Sequence, residues 1–154
     1  MSRVEEKLSQ MGLVVPEPPK PVAAYVPGVV DGKRIYTSGQ LPTQNGVLIK
    51  GRLGENLTVE EGYAAARICA LNCLGVLKSL VGDLDGVEQI LKVVGFVNST
   101  LEFDAQAKVV NGASELLGEV FGKAGVHARS AVGVAALPLG AACEVEIIAK
   151  IREN

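Results

Sequence analysis

TVEEGYAAARICALNCLGVLKSLVGDLDGVEQILKVVGFVNS, residues Thr58–Ser99, changes its hydrophobic period once, and the architecture turns on that change. Its opening, Thr58-Val59-Glu60-Glu61, has the form of a capping box, with a hydroxyl at the N-cap and a carboxylate three residues on. Ala64, Ile68, Leu71 and Leu74 or Gly75 then recur at helical spacing, which predicts a helix to about Val81 with Gly82 as its end. From Val87 to Ser99 the residues are mostly β-branched and apolar, as a buried strand requires.

Downstream, Asp104–Phe121 returns to the helical period through Ala107, Val110, Leu117 and Phe121. Arg129–Ala136 and Cys143–Ile151 are β-runs on either side of Leu137-Pro138-Leu139-Gly140-Ala141, a pattern that predicts a terminal hairpin. Upstream, Asn45-Gly46 precedes a short strand at Val47–Lys50, and the turn Asp31-Gly32-Lys33 joins β-runs at Ala23–Val30 and Arg34–Ser38. Residues 2–11 can form a short amphipathic helix. Pro16, Pro18, Pro19 and Pro21 then impose an extended connection, because each ring fixes φ and removes a donor. This order gives one α/β (α+β) domain over 1–154, with 1–22 as a helical and proline-rich leader. It predicts one mixed sheet with both long helices packed on one face. The bare face needs a cover, and the sheet of a second copy is the obvious candidate.

Composition points the same way. Hydrophobic residues are 48% of the chain and aromatics only 4%, an excess of aliphatic surface that a subunit interface would absorb. The formal net charge is −2 and the 15 Lys and Arg are scattered, so nucleic acid finds no basic stripe. Met1–Met11 carries charges where a signal peptide is apolar, and no stretch reads as a membrane span; the expectation is a cytoplasmic protein. Cys69 and Cys73, four apart on the first long helix, suit small buried thiols better than a disulfide framework. With His127 the only histidine, no zinc site of ordinary spacing is expected.

Ala128-Arg129-Ser130-Ala131-Val132-Gly133-Val134-Ala135-Ala136-Leu137-Pro138, followed by Glu144-Val145-Glu146-Ile147-Ile148-Ala149, resembles the signature of the reactive intermediate deaminase family (RidA, also called YjgF or L-PSP). The Arg-Ser, Leu-Pro and Glu-x-Glu elements stand at the family's mutual spacing. Tyr25-Val26-Pro27-Gly28 and Thr37-Ser38-Gly39-Gln40-Leu41-Pro42 are similar to its first hairpin, and Arg67, Asn72, Phe103 and Asn111 to further family positions. The resemblance covers about Ala23 to Lys150. It implies a chorismate-mutase-like fold and a homotrimer with clefts between subunits. It also implies hydrolytic deamination of reactive 2-imino or enamine acids, such as 2-iminobutyrate and 2-iminopropanoate, to 2-keto acids and ammonia. The chain departs from the pattern at His127, where many members have Pro, at Ala131, where Cys is common, and at Ser114, which replaces an aromatic. Its leader marks a longer subgroup.

Arg129 begins a strand otherwise made of Ala, Val and Gly, where a buried guanidinium must find an anion. By residue chemistry it is either a bidentate clamp on a substrate carboxylate or a strand-end arginine paired with Glu or solvent; the resemblance implies the clamp. Glu144 is the candidate catalytic base, since hydrolysis of a C=N bond needs one carboxylate beside an ordered water to shuttle protons. The plainer reading of Glu144 and Glu146 is a solvated pair on one strand face. In the expected hairpin Glu144 lies opposite Ala135, roughly 20 Å along the strands from Arg129, so one substrate meets both only across two subunits, unless a bulge alters the register.

Ser38 and Gly39 end a strand, where a glycine admits a ligand or another backbone. The resemblance implies that Gly39 backbone groups, beside Ser38, help bind substrate; by residue chemistry Tyr25 either closes the cleft or is a half-buried strand tyrosine, and Asn111 either orients a cleft group by hydrogen bonding or is simply exposed. This chemistry needs no cofactor and no metal. His127, without an evident nucleophile partner, is not read as catalytic, and Gly118–Ala124, one residue short of a P-loop, reads as a helix end. Two other functions stay open: a non-catalytic small-carboxylate-binding or regulatory trimer, and an endoribonuclease, which the acidic balance counts against.

Overall fold

The computed structural model describes residues 2–20 and 23–153, so Pro21 and Val22 of the leader lie outside the described residues. In chain order the elements are α1 (Arg3–Gln10), β1 (Gly28–Asp31), β2 (Arg34–Thr37), β3 (Thr43–Gln44), β4 (Val47–Leu48), α2 (Val59–Val81), β5 (Val87–Asn98), α3 (Gln106–Phe121), β6 (Ala128–Val134) and β7 (Cys143–Ile151). The capping box forms as read: Glu61 N donates to Thr58 Oγ1 at 3.1 Å and Thr58 N to Glu61 Oε1 at 3.0 Å. Gly82, at φ 82°, ends α2. By length and composition α2 could cross a membrane, against the expectation that no stretch would. Its inner stripe, including Ala66, Cys69, Cys73, Leu74 and Leu77, is instead buried in the core.

The main sheet has the order β1-β2-β7-β5-β6, with β6 parallel to β5 and the other pairs antiparallel. The expected terminal hairpin is therefore wrong, because β5 lies between β6 and β7. Twelve mostly apolar residues suit β5 to the centre, where both its edges find partners, whereas β6 exposes Ala128, Ser130 and Gly133 and suits an edge. The Leu137–Ala142 connection crosses the end of β5, where Asn98 N donates to Ala142 O at 3.0 Å and Asn98 Nδ2 to Ala141 O at 3.2 Å. The first strand also starts later than expected, at Gly28, since Pro27 has no N–H for a ladder. Residues 23–27 form an irregular approach to it.

Register divides the sheet into two faces. Val93, Gly95 and Val97 of β5 and Val145, Ile147 and Ala149 of β7 are buried beneath α2 and α3, so both long helices lie on one face as expected. On the other face the rows Val29–Tyr36–Ile148–Lys92–Ala128, Glu146–Val94–Ser130 and Glu144–Phe96–Val132 cross the strands. Among the described residues no helix covers them, and Gly39 packs against Glu144 at one end. Val29, Tyr36 and Val132 remain exposed, an apolar surface of the kind that a second subunit removes from water.

The leader is docked at α1 and again at Pro16. Ser2 caps α1 in a capping box with Glu5, Asp85 accepts from Arg3 N and Val4 N at 2.9 and 3.1 Å, and Glu5 pairs with Lys78. Farther on, the Pro16 carbonyl rests directly on Gly75 of α2, where a side chain would collide with it. Cys69, Cys73 and Cys143 are free and buried, as the helical spacing of the first two suggested. Burial pushes the Cys73 thiol up to about 12.

Candidate active site

Arg129 sits opposite Val93, whose side chain points into the core, so its own side chain leaves the sheet on the helix-bearing side. As β6 is an edge strand, the guanidinium is half-buried at the rim beside α3. Asn111 and Ser114, three residues apart, share one face of that helix. Arg129 Nη1 donates to Asn111 Oδ1 at 2.8 Å and to Ser114 Oγ at 3.2 Å. Both Nη1 protons are thereby used. The Nε–H and Nη2 donors have no partner among the described residues, which leaves one planar edge of the fork free for an anion.

His127, just before β6, completes this cluster. Its Nδ1 lies 2.6 Å from Gly125 O and its Nε2 lies 2.9 Å from Ser114 Oγ. A carbonyl only accepts, so Nδ1 carries the proton; in the neutral ring Nε2 then accepts from the Ser114 hydroxyl. The sequence left His127 without a partner. The helix period that puts Ser114 beside Asn111, together with the two-residue step from His127 to Arg129, was the signal available.

Glu144 belongs to the opposite face, in the row with Phe96 and Val132. Its expected partner Ala135 lies beyond the end of β6, because β5 fills the place between the two strands. Two strand spacings and three residues of offset put the Cα atoms of Arg129 and Glu144 about 14 Å apart, and their side chains point away from each other. No same-chain register brings them together.

The chain leaving β2 folds back onto β7, with Gln40 N donating to Val145 O at 2.8 Å and Val145 N to Gln40 O at 3.1 Å. That clasp presses Gly39 against Glu144 so closely that a Cβ on Gly39 would stand 2.8 Å from Glu144 Cδ. Partial burial raises the Glu144 pKa, and the like charge of Glu146 on the same face adds to the rise. Among the described residues none hydrogen-bonds its carboxylate, which is free to hold a water or a substrate proton.

Ser38 Oγ donates to Val26 O at 2.7 Å and Ser38 N to Pro27 O at 2.7 Å, tying this corner to the loop that carries Tyr25. The Ser38 hydroxyl is therefore committed to the backbone. Tyr25 is 61% exposed and stands in a loop, where a half-buried strand position was one of its expected readings. Tyr25, Ser38 and Gly39 line a cavity of about 500 Å³ together with Pro16, Pro18 and Pro19 of the leader, a contribution that the sequence did not indicate. Of the six expected residues, Arg129 meets Asn111 and Glu144 meets Gly39, while Ser38 and Tyr25 join Gly39 on the cavity, whose lining does not include Glu144. No group of His, Cys, Asp and Glu able to hold a metal occurs among the described residues.

A family model described as "YjgF/chorismate mutase-like, putative endoribonuclease" matches residues 5–151. The chain belongs to the YjgF family. Its relatives include protein TCP17 of Trypanosoma cruzi, 45% identical over 97% of this chain and 94% of that one. The crystal structure of Atu1372, a protein of unknown function from Agrobacterium tumefaciens, superposes with a TM-score of 0.92 at 39% identity, covering 97% of this chain and 93% of its own. TdcF of E. coli, solved with bound serine, gives a TM-score of 0.63 at 27% identity over 89% of this chain and 94% of its own. The mixed sheet with helices on one face is the YjgF fold, and the run from Arg129 to Glu146 that carried the resemblance lies in its β6 and β7.

Proposed function

We propose that this YjgF-family chain forms a homotrimer that hydrolyses reactive 2-imino acids to 2-keto acids and ammonia. Each site takes Arg129 and Asn111 from one subunit and Glu144, Gly39, Ser38 and Tyr25 from its neighbour. The observation that carries this reading is the division of the site. An arginine with a free donor edge and a carboxylate with a raised pKa stand on opposite faces of one sheet, each lacking what the other supplies. The uncovered face, with Glu144 in its apolar rows, is a surface for the neighbour to cover.

In this site Arg129 grips the substrate carboxylate side-on, a charged contact worth roughly 1.5–3 kcal/mol. Glu144 takes a proton from water as the oxygen attacks the imine carbon, and nitrogen gains a proton. The carbinolamine then loses ammonia as its hydroxyl becomes the keto oxygen, so that imine plus water gives keto acid plus ammonia. General acid–base help of this kind is worth roughly 100- to 10,000-fold, adequate for imines that already hydrolyse in water. TdcF, crystallised with serine, lends support: a relative binds a small molecule that bears a carboxylate.

The test couples a threonine dehydratase to the purified protein and follows semicarbazone formation. Reduced trapping at verified dehydratase flux is the expected result, and undiminished trapping would refute the activity for these substrates. A second reading, a non-catalytic carboxylate sensor, is favoured by one observation: the Arg129 cluster is assembled within a single chain without Glu144. Saturable binding of 2-ketobutyrate in calorimetry with no turnover of any imine would select it.

A further inference from the structure

We propose that Ser114 and His127 are positioning residues that fix the direction from which Arg129 receives its ligand, so that a carboxylate binds side-on to the Nε/Nη2 edge and not end-on to Nη1 and Nη2. The inference rests on the reading of Arg129 as a carboxylate clamp and specifies how the clamp is aimed.

The direction follows from a chain of donors in which every proton is placed. Gly125 O accepts from His127 Nδ1–H at 2.6 Å, which in the neutral ring leaves Nε2 as an acceptor. Ser114 donates its single hydroxyl proton to that nitrogen at 2.9 Å, so its oxygen faces Arg129 only as an acceptor. Arg129 Nη1 fills that oxygen at 3.2 Å with one proton and Asn111 Oδ1 at 2.8 Å with the other. Were the ring turned to the other tautomer, Nε2–H would donate to Ser114 and the hydroxyl proton would compete with Nη1 for direction. His127 thus acts on Arg129 through Ser114 without touching it. An arginine side chain has several rotatable bonds, and a fork held at one end loses less freedom when it closes on a carboxylate.

Four single variants, one double variant and two kinds of readout test this. Calorimetry with 2-ketobutyrate should give Ser114→Ala a Kd about 10-fold weaker than the intact protein, about 1.4 kcal/mol at 10-fold per unit of that size. His127→Phe should weaken binding about three- to fivefold, and in the Ser114→Ala background it should add nothing, since its effect passes through the hydroxyl. Ser114→Thr should restore binding. Independently of any ligand, ¹⁵N NMR should find His127 with its proton on Nδ1. It should also resolve the Arg129 Nη1 protons in the intact protein and show them merged by rotation in Ser114→Ala. A merely structural role would lower thermal stability and leave Kd, tautomer and guanidinium signals alone. If Arg129→Ala abolishes binding while Ser114→Ala and His127→Phe leave it unchanged, the positioning role is overturned and the clamp stands. If Arg129→Ala leaves binding unchanged, the clamp itself is overturned. A proton on Nε2, or Nη1 signals indifferent to Ser114→Ala, overturns the donor chain whatever the ligand does.

Discussion

Replacing Gly39 by alanine should damage catalysis far more than stability, because the added methyl meets one flexible side chain and that side chain is Glu144. Its Cβ would stand 2.8 Å from Glu144 Cδ and 3.0 Å from Cγ. Carbon atoms rest at about 3.5–4.0 Å, so the carboxylate has to retreat by about 1 Å. A side chain that leaves its preferred rotamer loses about 0.5–1.5 kcal/mol, and nothing in the backbone of Gly39 adds strain. Misplacement of a reacting group by about 1 Å, in contrast, costs on the order of 100-fold in rate. In the dehydratase-coupled assay Gly39→Ala should therefore keep its urea midpoint nearly unchanged and lose about two orders of magnitude in kcat. Combined with Glu144→Ala, which removes the atoms in collision, it should produce no loss beyond that of Glu144→Ala alone. Full activity in Gly39→Ala beside an inactive Glu144→Gln would refute the claim that Gly39 sets the position of the Glu144 carboxylate. So would equal losses in both backgrounds.

Two further substitutions probe the raised carboxylate and the docked leader. Glu146→Gln removes the like charge that adds to burial in raising the Glu144 pKa, so the base form should persist to lower pH and the acid limb of kcat/KM should move down; an unmoved limb would contradict the coupling. By the same sign, a carboxylate whose pKa is raised on folding loses stability as pH rises through its folded value, so Glu144→Gln should be at least as stable as the parent at neutral pH in urea titrations. Gly75→Ala gains about 1 kcal/mol of helix propensity but drives a methyl into the Pro16 carbonyl, a backbone group that cannot rotate aside. A net loss of about 1–2 kcal/mol with faster proteolysis between Pro16 and Lys20 is expected, and a stabilised, protease-resistant variant would show that the leader does not lie there.

Local chemistry was legible in the chain and strand order was not. Thr58, Glu61 and Gly82 delimit α2 by capping alone, and the change to a β-branched run at Val87 places β5, because these signals act within a few residues. The partner of β6 depends instead on a choice between two apolar strands, β5 and β7, and proximity in sequence favoured the wrong one. That error moved Glu144 from its place opposite Phe96 to one opposite Ala135. The division of the site across two faces of the sheet follows from the true register. Tyr25 was misread for a smaller reason, Pro27, whose missing N–H delays the strand to Gly28. Ser114 stood out only as a departure from the family pattern, because a helical serine acquires a role only when His127 and Arg129, more than a dozen residues away, are folded against it.

Mixing two inactive variants tests the shared site most directly. Arg129→Ala retains Glu144, Glu144→Gln retains Arg129, and each alone should have almost no deaminase activity. In a cyclic trimer assembled from both, one interface of the three joins an intact Arg129 to an intact Glu144, so random exchange of equal amounts should restore about a quarter of the parent activity. Subunit exchange is verified beforehand by mass-tagged chains. Recovery near that level is the predicted result; verified mixed trimers that stay inactive would contradict a site built from Arg129 of one subunit and Glu144 of the next.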